Sequence, residues 1–145
     1  MASFNFRLQK LLDIRQQKEE ESKRYFKEAQ SAKDKVENDL NEMKGNYQKY
    51  NTIINSEGLI EQKIRKNYLQ ALNLSINEKT VELDKKIIIL ENKREDLKQK
   101  QIDRKTVEIL KEKKRMEFMD IQNHIEQAQN DEFALYAHIR KTERR

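Results

Sequence analysis

Apolar residues recur at seven-residue spacing along most of this chain. Between residues 4 and 54 they fall almost entirely on three neighbouring heptad phases, which together make one continuous helix face. The three phases hold Leu8, Ala29, Val36, Met43 and Tyr50; Phe4, Leu11, Tyr25, Ala32 and Ile53; and Leu12, Phe26, Leu40, Tyr47 and Ile54. The pattern predicts a long helix over residues 4–56, with Ser3 as its N-cap.

The helical pattern stops at Gly58, in the polar cluster formed by residues 55–58. The chain has no proline and only two glycines. The apolar face continues past Gly45, so we expect this glycine inside the first helix, at a cost of about 1 kcal/mol. Gly58 suits the left-handed conformation in which many helices end. We therefore expect the chain to reverse its direction near Gly58.

A short apolar stretch over residues 59–74 follows the break, again with helical spacing. Ser75 and Glu78 then have the Ser-x-x-Glu spacing of a capping box, in which the serine begins a new helix. This spacing predicts a tip segment over residues 57–75 and a last helix over residues 76–143. The alternative is one unbroken helix from Leu59 to the C-terminus.

The last helix has its own apolar heptad phase, which we expect to pack against the first helix along a seam. Its members are Leu69, Ile76, Leu83, Leu90, Leu97, Phe118, Ile125 and Ile139. Its companion phase near the C-terminus consists of Val107, Ile121, Ala128 and Leu135, whereas nearer the tip the companion is Ile87, on the other side of the main phase. Such paired phases are typical of a coiled coil.

Both helices have a polar stretch within the seam phases. Arg15 and Lys18 lie in the first stretch, and the second covers about residues 94–114. In an antiparallel arrangement we expect the two stretches to meet, with Arg15 or Lys18 near Glu112 or Glu117. Charged layers of this kind define the register of a coiled coil more than they stabilise it.

The predicted fold is all-α, a long antiparallel two-helix coiled-coil hairpin with a short helical segment at the tip. We expect a single coiled-coil domain over residues 1–145. Charged residues make up 39% of the chain and hydrophobic residues 35%, which leaves too little apolar surface for a thick core. Acidic and basic residues nearly balance, at 26 and 31, which argues against a disordered chain.

A second apolar stripe lies on the opposite side of the last helix. Its members are Leu74, Val81, Ile88, Ile102, Ile109 and Met116. Scattered surface apolar residues are normal, but their recurrence every seven residues favours a partner surface at least equally.

Charge is also grouped into blocks, since residues 93–115 are basic and residues 116–139 contain no lysine or arginine. Such blocks are usually solvated faces.

No arrangement of catalytic, cofactor-binding or metal-ligating residues is visible, and we expect a protein that is not an enzyme. There is no cysteine, no glycine-rich phosphate loop, and His124 and His138 are too far apart on a helix to share a metal. We expect no nucleic-acid binding, because the aromatic residues belong to the apolar stripe instead of a basic face. The longest apolar run, residues 87–90, is far too short for membrane insertion. We therefore expect a soluble cytoplasmic chain without a signal peptide.

The opening phrase Phe4-Asn5-Phe6-Arg7-Leu8-Gln9-Lys10-Leu11-Leu12-Asp13-Ile14-Arg15, followed by charged helix, resembles the start of the FliJ family of flagellar export proteins. The chain is similar to that family in length, in its basic character and in lacking cysteine and proline. The resemblance implies an antiparallel coiled-coil stalk in the pore of the hexameric export ATPase, whose assembly and hydrolysis it promotes. It also implies contacts with the cytosolic domain of the export gate and with export chaperones. The implied location is the cytosolic face of the inner membrane at the flagellar base.

Transferred to this sequence, the resemblance implies that the two chain ends contact the ATPase ring and that the tip contacts the export gate. The candidate ring contacts are Phe4, Phe6, Arg7, Lys10, Ile14, Arg140 and Lys141. The candidate gate contacts are Met43, Tyr47, Tyr50, Tyr68 and Leu72. Solvated helix ends and core packing, respectively, are the simpler interpretations of these residues.

Two alternative functions remain open at the level of sequence. The first is the equivalent stalk of a virulence type III secretion system, which would have the same sequence pattern. The second is a structural coiled coil that self-associates into a parallel dimer and has no ATPase partner. We expect a hairpin that is a monomer when alone.

Overall fold

Two helices account for nearly all of the computed structural model, which describes residues 2–52 and 58–145. Helix α1 is Gln9–Tyr50, with 42 residues, and helix α2 is Leu59–Glu143, with 85 residues. The described residues include no strand. The two helices pack against each other, which confirms the predicted all-α fold.

Paired contacts show that the helices are antiparallel. The Ser22 hydroxyl donates to the Asp96 carboxylate at 3.0 Å, and the Tyr50 ring lies 5.3 Å from the Tyr68 ring. Going from residue 22 to residue 50 on α1 therefore moves the partner from residue 96 back to residue 68, an equal step in the opposite direction. The register is constant over this length, as expected of a coiled coil.

Contacts divide the chain into two units, each with a segment of both helices. The terminal unit is Met1–Gln17 with Gln101–Arg145, and the tip unit is Lys18–Lys100. The core of the terminal unit consists of Phe6, Leu12 and Val107, with Phe4 packed against it. Among the described residues of the tip unit, the buried apolar side chains are Val36, Leu40 and Leu90.

In the tip unit, α2 meets α1 through two heptad phases, and one of them is mostly lysine. The apolar phase contains Leu69, Ile76, Leu83, Leu90 and Leu97, as predicted. The companion phase contains the partly buried side chains of Leu72, Lys79, Lys86, Lys93 and Lys100. The prediction of Ile87 as the companion is wrong, because Ile87 is exposed.

Lysines can occupy a seam because their aliphatic stems cover apolar surface while their ammonium groups reach its edge. The Lys79 ammonium lies 3.2 Å from the Glu82 carboxylate and 4.0 Å from that of Asp39 on the facing helix. The Lys93 ammonium lies 5.3 Å from the centre of the Tyr25 ring. We call Lys79, Lys86, Lys93 and Lys100 the lysine ladder.

The polar stretches of the two helices meet, but not through the predicted partners. Arg15 donates to the backbone carbonyl of Asp103 at 2.6 Å. Glu112 is instead held by Arg115 on its own helix, at 2.6 Å, and this hydrogen bond lowers the pKa of the Glu112 carboxyl. Glu117 lies 3.3 Å from Lys114. The predicted register was wrong because it assumed a tip that extends to Ser75, whereas α2 already begins at Leu59.

The second helix is unbroken, as the alternative prediction of one helix from Leu59 onward stated. Ser75 lies inside α2, so the predicted N-cap at this residue is wrong. The heptad pattern runs through it from Leu72 to Ile76, and seam packing decides the structure over a short capping motif. Gly45 lies inside α1, as predicted.

Two further predicted helix boundaries, at Gly58 and at the N-terminus, differ from the observed ones. Gly58 does not adopt a left-handed conformation. Its carbonyl accepts from the Gln62 amide at 3.0 Å, so it leads into α2 and does not end α1. At the N-terminus, α1 begins at Gln9 and not at residue 4, which excludes Ser3 as its cap. The reversal predicted at residues 55–57 lies outside the described residues.

Candidate interaction surfaces

The terminal unit is organised around the aromatic residues of the opening phrase. The Phe4 ring packs against Phe118 of α2 with 5.7 Å between ring centres. Phe6 is only 8% exposed and lies in the core with Leu12 and Val107. The Phe6 carbonyl accepts from the Gln9 amide at 3.2 Å. This hydrogen bond joins the non-helical N-terminal residues to the first turn of α1.

Phe6 and Ile14, two of the ring contacts that the resemblance implies, lie on none of the three apolar heptad phases of residues 4–54. The structure places these two residues differently. Heptad phase has no meaning for Phe6, since the residues before Gln9 are not helical. Ile14 is helical and, as its phase predicts, is 50% exposed. Arg7 and Lys10 are exposed beside it in sequence. The accessible candidates at this end of α1 are therefore Arg7, Lys10 and Ile14.

An open groove of about 850 Å³ lies between the N-terminal residues and α2. Its lining consists of Ser3, Phe4, Asn5, Phe6, Arg7, Leu8, Leu110, Lys114 and Phe118. The lining includes three phenylalanines and two cationic side chains, those of Arg7 and Lys114. Such a groove suits an apolar side chain with an acidic neighbour.

Beyond Gln122, every side chain of α2 is exposed. This part of the helix includes several large apolar residues, of which Phe133 is the most exposed, at 71%. Arg140 and Lys141 lie in the last turn of α2 and are exposed. Basic residues are favourable there because the carboxyl end of a helix has partial negative charge.

At the tip, the structure brings together two of the predicted tyrosines. Tyr50 ends α1, and its ring meets that of Tyr68 edge to face, at an interplanar angle of 80°. The Lys49 ammonium lies 5.5 Å from the centre of the Tyr50 ring. Arg65 donates to the Thr52 carbonyl at 2.5 Å. Both tyrosines remain partly exposed, so an apolar ring with a polar edge faces solvent.

These aromatic residues border an open groove of about 580 Å³. It is lined by Lys49, Tyr50, Thr52, Glu61, Ile64, Arg65 and Tyr68. The other three tip candidates, Met43, Tyr47 and Leu72, are half-buried along the seam. Their packing role is therefore visible, and they offer less surface than the tyrosine pair.

The structure also exposes three apolar residues that the sequence interpretation did not select. Leu59, Ile60 and Ile64 in the first turns of α2 are 86%, 78% and 64% exposed. The exposure of these three residues agrees with their heptad positions. The two seam phases of α2, extended back towards the tip, pass through Gln62 and Arg65, which leaves all three residues off the seam.

Neither metal chemistry nor a membrane span has support in the described part of the chain. Within residues 2–52 and 58–145 there is no group of three His, Cys, Asp or Glu side chains that could hold a metal ion. No helix in the same residues is long and apolar enough to cross a membrane.

Comparison with known families gives a match over residues 4–143 to the family described as Flagellar FliJ protein. The chain belongs to the FliJ family. Searches of curated proteins and of solved structures gave no match. Membership in the FliJ family makes the chain a protein of the flagellar export apparatus and confirms the resemblance seen in the opening phrase.

Proposed function

We propose that this chain is the stalk and escort protein of a flagellar export apparatus, and that it is not an enzyme. It inserts into the hexamer of the export ATPase, promotes assembly of that hexamer and accelerates its ATP hydrolysis. It also links the ATPase to the cytosolic domain of the export gate and to export chaperones. It works at the cytosolic face of the inner membrane, at the flagellar base.

The observation that carries this proposal is the family match over residues 4–143 in a chain that folds as two packed helices. An asymmetric rod in a symmetric ring makes the subunit interfaces unequal. Unequal interfaces favour sequential, cooperative turnover, because each nucleotide site then has a different affinity. The exposed residues of the terminal unit, Arg7, Lys10, Ile14, Arg140 and Lys141, supply the ring contacts in this proposal.

The experiment is to add the purified chain to the purified export ATPase of the same system. We expect a higher rate of ATP hydrolysis and a larger fraction of hexamers, measured by phosphate release and by light scattering. The Ile14→Asp variant should lose most of the stimulation, because a charge replaces an exposed apolar contact. Ile88→Asp is the matched control, since Ile88 is also exposed but lies in the tip unit. Unchanged hydrolysis and assembly at saturating chain would contradict the proposal.

The tip is tested separately with the cytosolic domain of the export gate. Tyr50 and Tyr68 present a joined aromatic surface, and aromatic residues of this kind are enriched at interface centres. The double variant Tyr50→Ala, Tyr68→Ala should bind the gate domain at least tenfold more weakly in a titration. Tyr136→Ala is the control, because Tyr136 is exposed in the terminal unit. Equal weakening by both variants would contradict a gate site at the tip.

A further inference from the structure

The seam of α2 continues beyond the residues that cover it. In the terminal unit, Val107 is buried and Phe118 meets Phe4. The heptad phases of these two residues recur at Ile121, Ile125, Ala128, Leu135 and Ile139. All five are exposed. We call residues 121–139 the uncovered seam, since they repeat the coiled-coil pattern while these side chains are exposed.

The spacing of the uncovered seam favours a helix as its occupant. Residues repeating on two heptad phases fit as knobs into the holes of a facing helix. A helix that lies on a lipid surface usually has lysine and arginine on its polar side. The uncovered seam has none, because residues 116–139 contain no lysine or arginine.

Charge restricts the facing helix further. Three acidic residues lie within the uncovered seam, namely Glu126, Asp131 and Glu132, and Glu117 and Asp120 lie just before it. Glu132 lies on the same heptad phase as Phe118 and Ile125, within the seam itself. A charged seam residue needs a partner of opposite charge or a hydrogen bond once it is covered. A second copy of the same stretch would place acid against acid, which disfavours binding.

We propose that the uncovered seam docks an amphipathic helix of another protein, with an apolar heptad stripe flanked by lysine or arginine. A basic residue of that helix faces Glu132. Two observations carry the proposal, namely the continuity with the seam between α1 and α2 and the charge complementarity. It goes beyond the proposed function, whose ring contacts are Arg7, Lys10, Ile14, Arg140 and Lys141.

The test uses the full chain and a synthetic helix. The probe is a fluorescent peptide about three heptads long, with leucine at the two core positions, lysine at the flanking positions and one central core lysine. The control peptide has glutamate in place of every lysine. In fluorescence anisotropy titrations we expect the lysine peptide to bind at least about tenfold more tightly than the glutamate peptide.

Variants of the chain separate docking on the seam from diffuse attraction. Leu135→Asp should weaken binding of the lysine peptide at least about tenfold, because it puts a charge among the core contacts. Glu132→Lys should also weaken it about tenfold. Glu126→Lys makes the same change of charge off the seam and should change the affinity less than about threefold. All three positions are exposed, and circular dichroism will show whether each variant keeps its helix.

Three results would overturn the proposal. One is equal affinity for the lysine and glutamate peptides. Another is equal loss in Glu132→Lys and Glu126→Lys, which indicates attraction to the acidic block as a whole. The third is a dimer of the chain alone that Leu135→Asp dissociates in light scattering, since a second copy would then cover the seam. None of these measurements includes the ATPase, so they are independent of the proposed stalk function.

Discussion

At the scale of single residues, Phe6 shows how a position outside the heptad pattern becomes part of the core. It precedes the first helical residue, Gln9, and the non-helical backbone turns its ring towards Leu12 and Val107. Phe4 then packs on this core and reaches Phe118. Phe6 therefore holds the opening phrase on α2.

Replacing Phe6 by alanine should lower the free energy of unfolding by about 3 kcal/mol, because it removes a buried ring and leaves a cavity. Phe133→Ala makes the same chemical change at an exposed position and should stay within about 0.5 kcal/mol. Urea unfolding followed by circular dichroism measures both. Equal effects of the two substitutions would contradict the core placement of Phe6.

At Gly45 we expect a substitution that stabilises the fold. It lies inside α1, and a Cβ atom added there meets no atom within 4 Å. Gly45→Ala should raise the free energy of unfolding by about 1 kcal/mol, because alanine loses less backbone entropy in a helix.

Gly58→Ala is the control for this prediction. Gly58 precedes α2, where glycine is tolerated better than alanine, so the change should give no gain. Thermal unfolding of the two variants compares them directly. A Gly45→Ala variant no more stable than the original chain would contradict an uninterrupted α1.

At the scale of helices, the lysine ladder explains why α2 can form a seam with few apolar residues. The lysine ladder was not predicted from the sequence because a count of apolar residues treats lysine as polar. Whether the aliphatic stem of a lysine is buried depends on the facing helix. The apolar phase, represented by Leu83 and Leu90, was predictable because leucine recurs every seven residues.

The ladder predicts that one lysine can be replaced by leucine with a gain. Lys86 is partly buried in the seam, whereas its neighbour Lys85 is exposed. Lys86→Leu should raise the free energy of unfolding by about 1 kcal/mol, because the added apolar contact is buried. Lys85→Leu should have little effect. A larger gain for Lys85→Leu in urea unfolding would contradict the assigned seam.

The continuity of α2 makes a second prediction at this scale. An N-cap serine that is changed to alanine costs about 1 kcal/mol, but alanine is the better residue inside a helix. Because Ser75 is inside α2, Ser75→Ala should leave the stability unchanged or raise it slightly. A loss of about 1 kcal/mol in thermal unfolding would indicate a helix start at Ser75.

At the scale of the whole molecule, the heptad pattern predicted the hairpin but not its register. The phases of both helices can be read from the apolar residues, yet sliding α2 by a full heptad preserves them. The position of the chain reversal decides between these registers. The Ser75 capping motif wrongly extended the predicted tip segment, so the predicted register was also wrong. The candidate surfaces show the same limit. The tyrosines Tyr50 and Tyr68 were predicted at the tip, whereas the heptad phases indicate the exposure of Leu59, Ile60 and Ile64 only once α2 is known to run unbroken from Leu59.

The most direct test of the antiparallel hairpin is a cross-link within one chain. The chain has no cysteine, so two can be introduced without background, at Ser22 and Asp96, whose side chains meet at 3.0 Å. The control places the second cysteine at Glu82, on the same side of α2 but about 20 Å away along the helix.

With a short bis-maleimide reagent, the Ser22→Cys, Asp96→Cys variant should form a closed loop at the mass of one chain. The Ser22→Cys, Glu82→Cys control should not close. Efficient joining of two chains by Ser22→Cys alone, without closure in the first variant, would show a parallel dimer and contradict the hairpin.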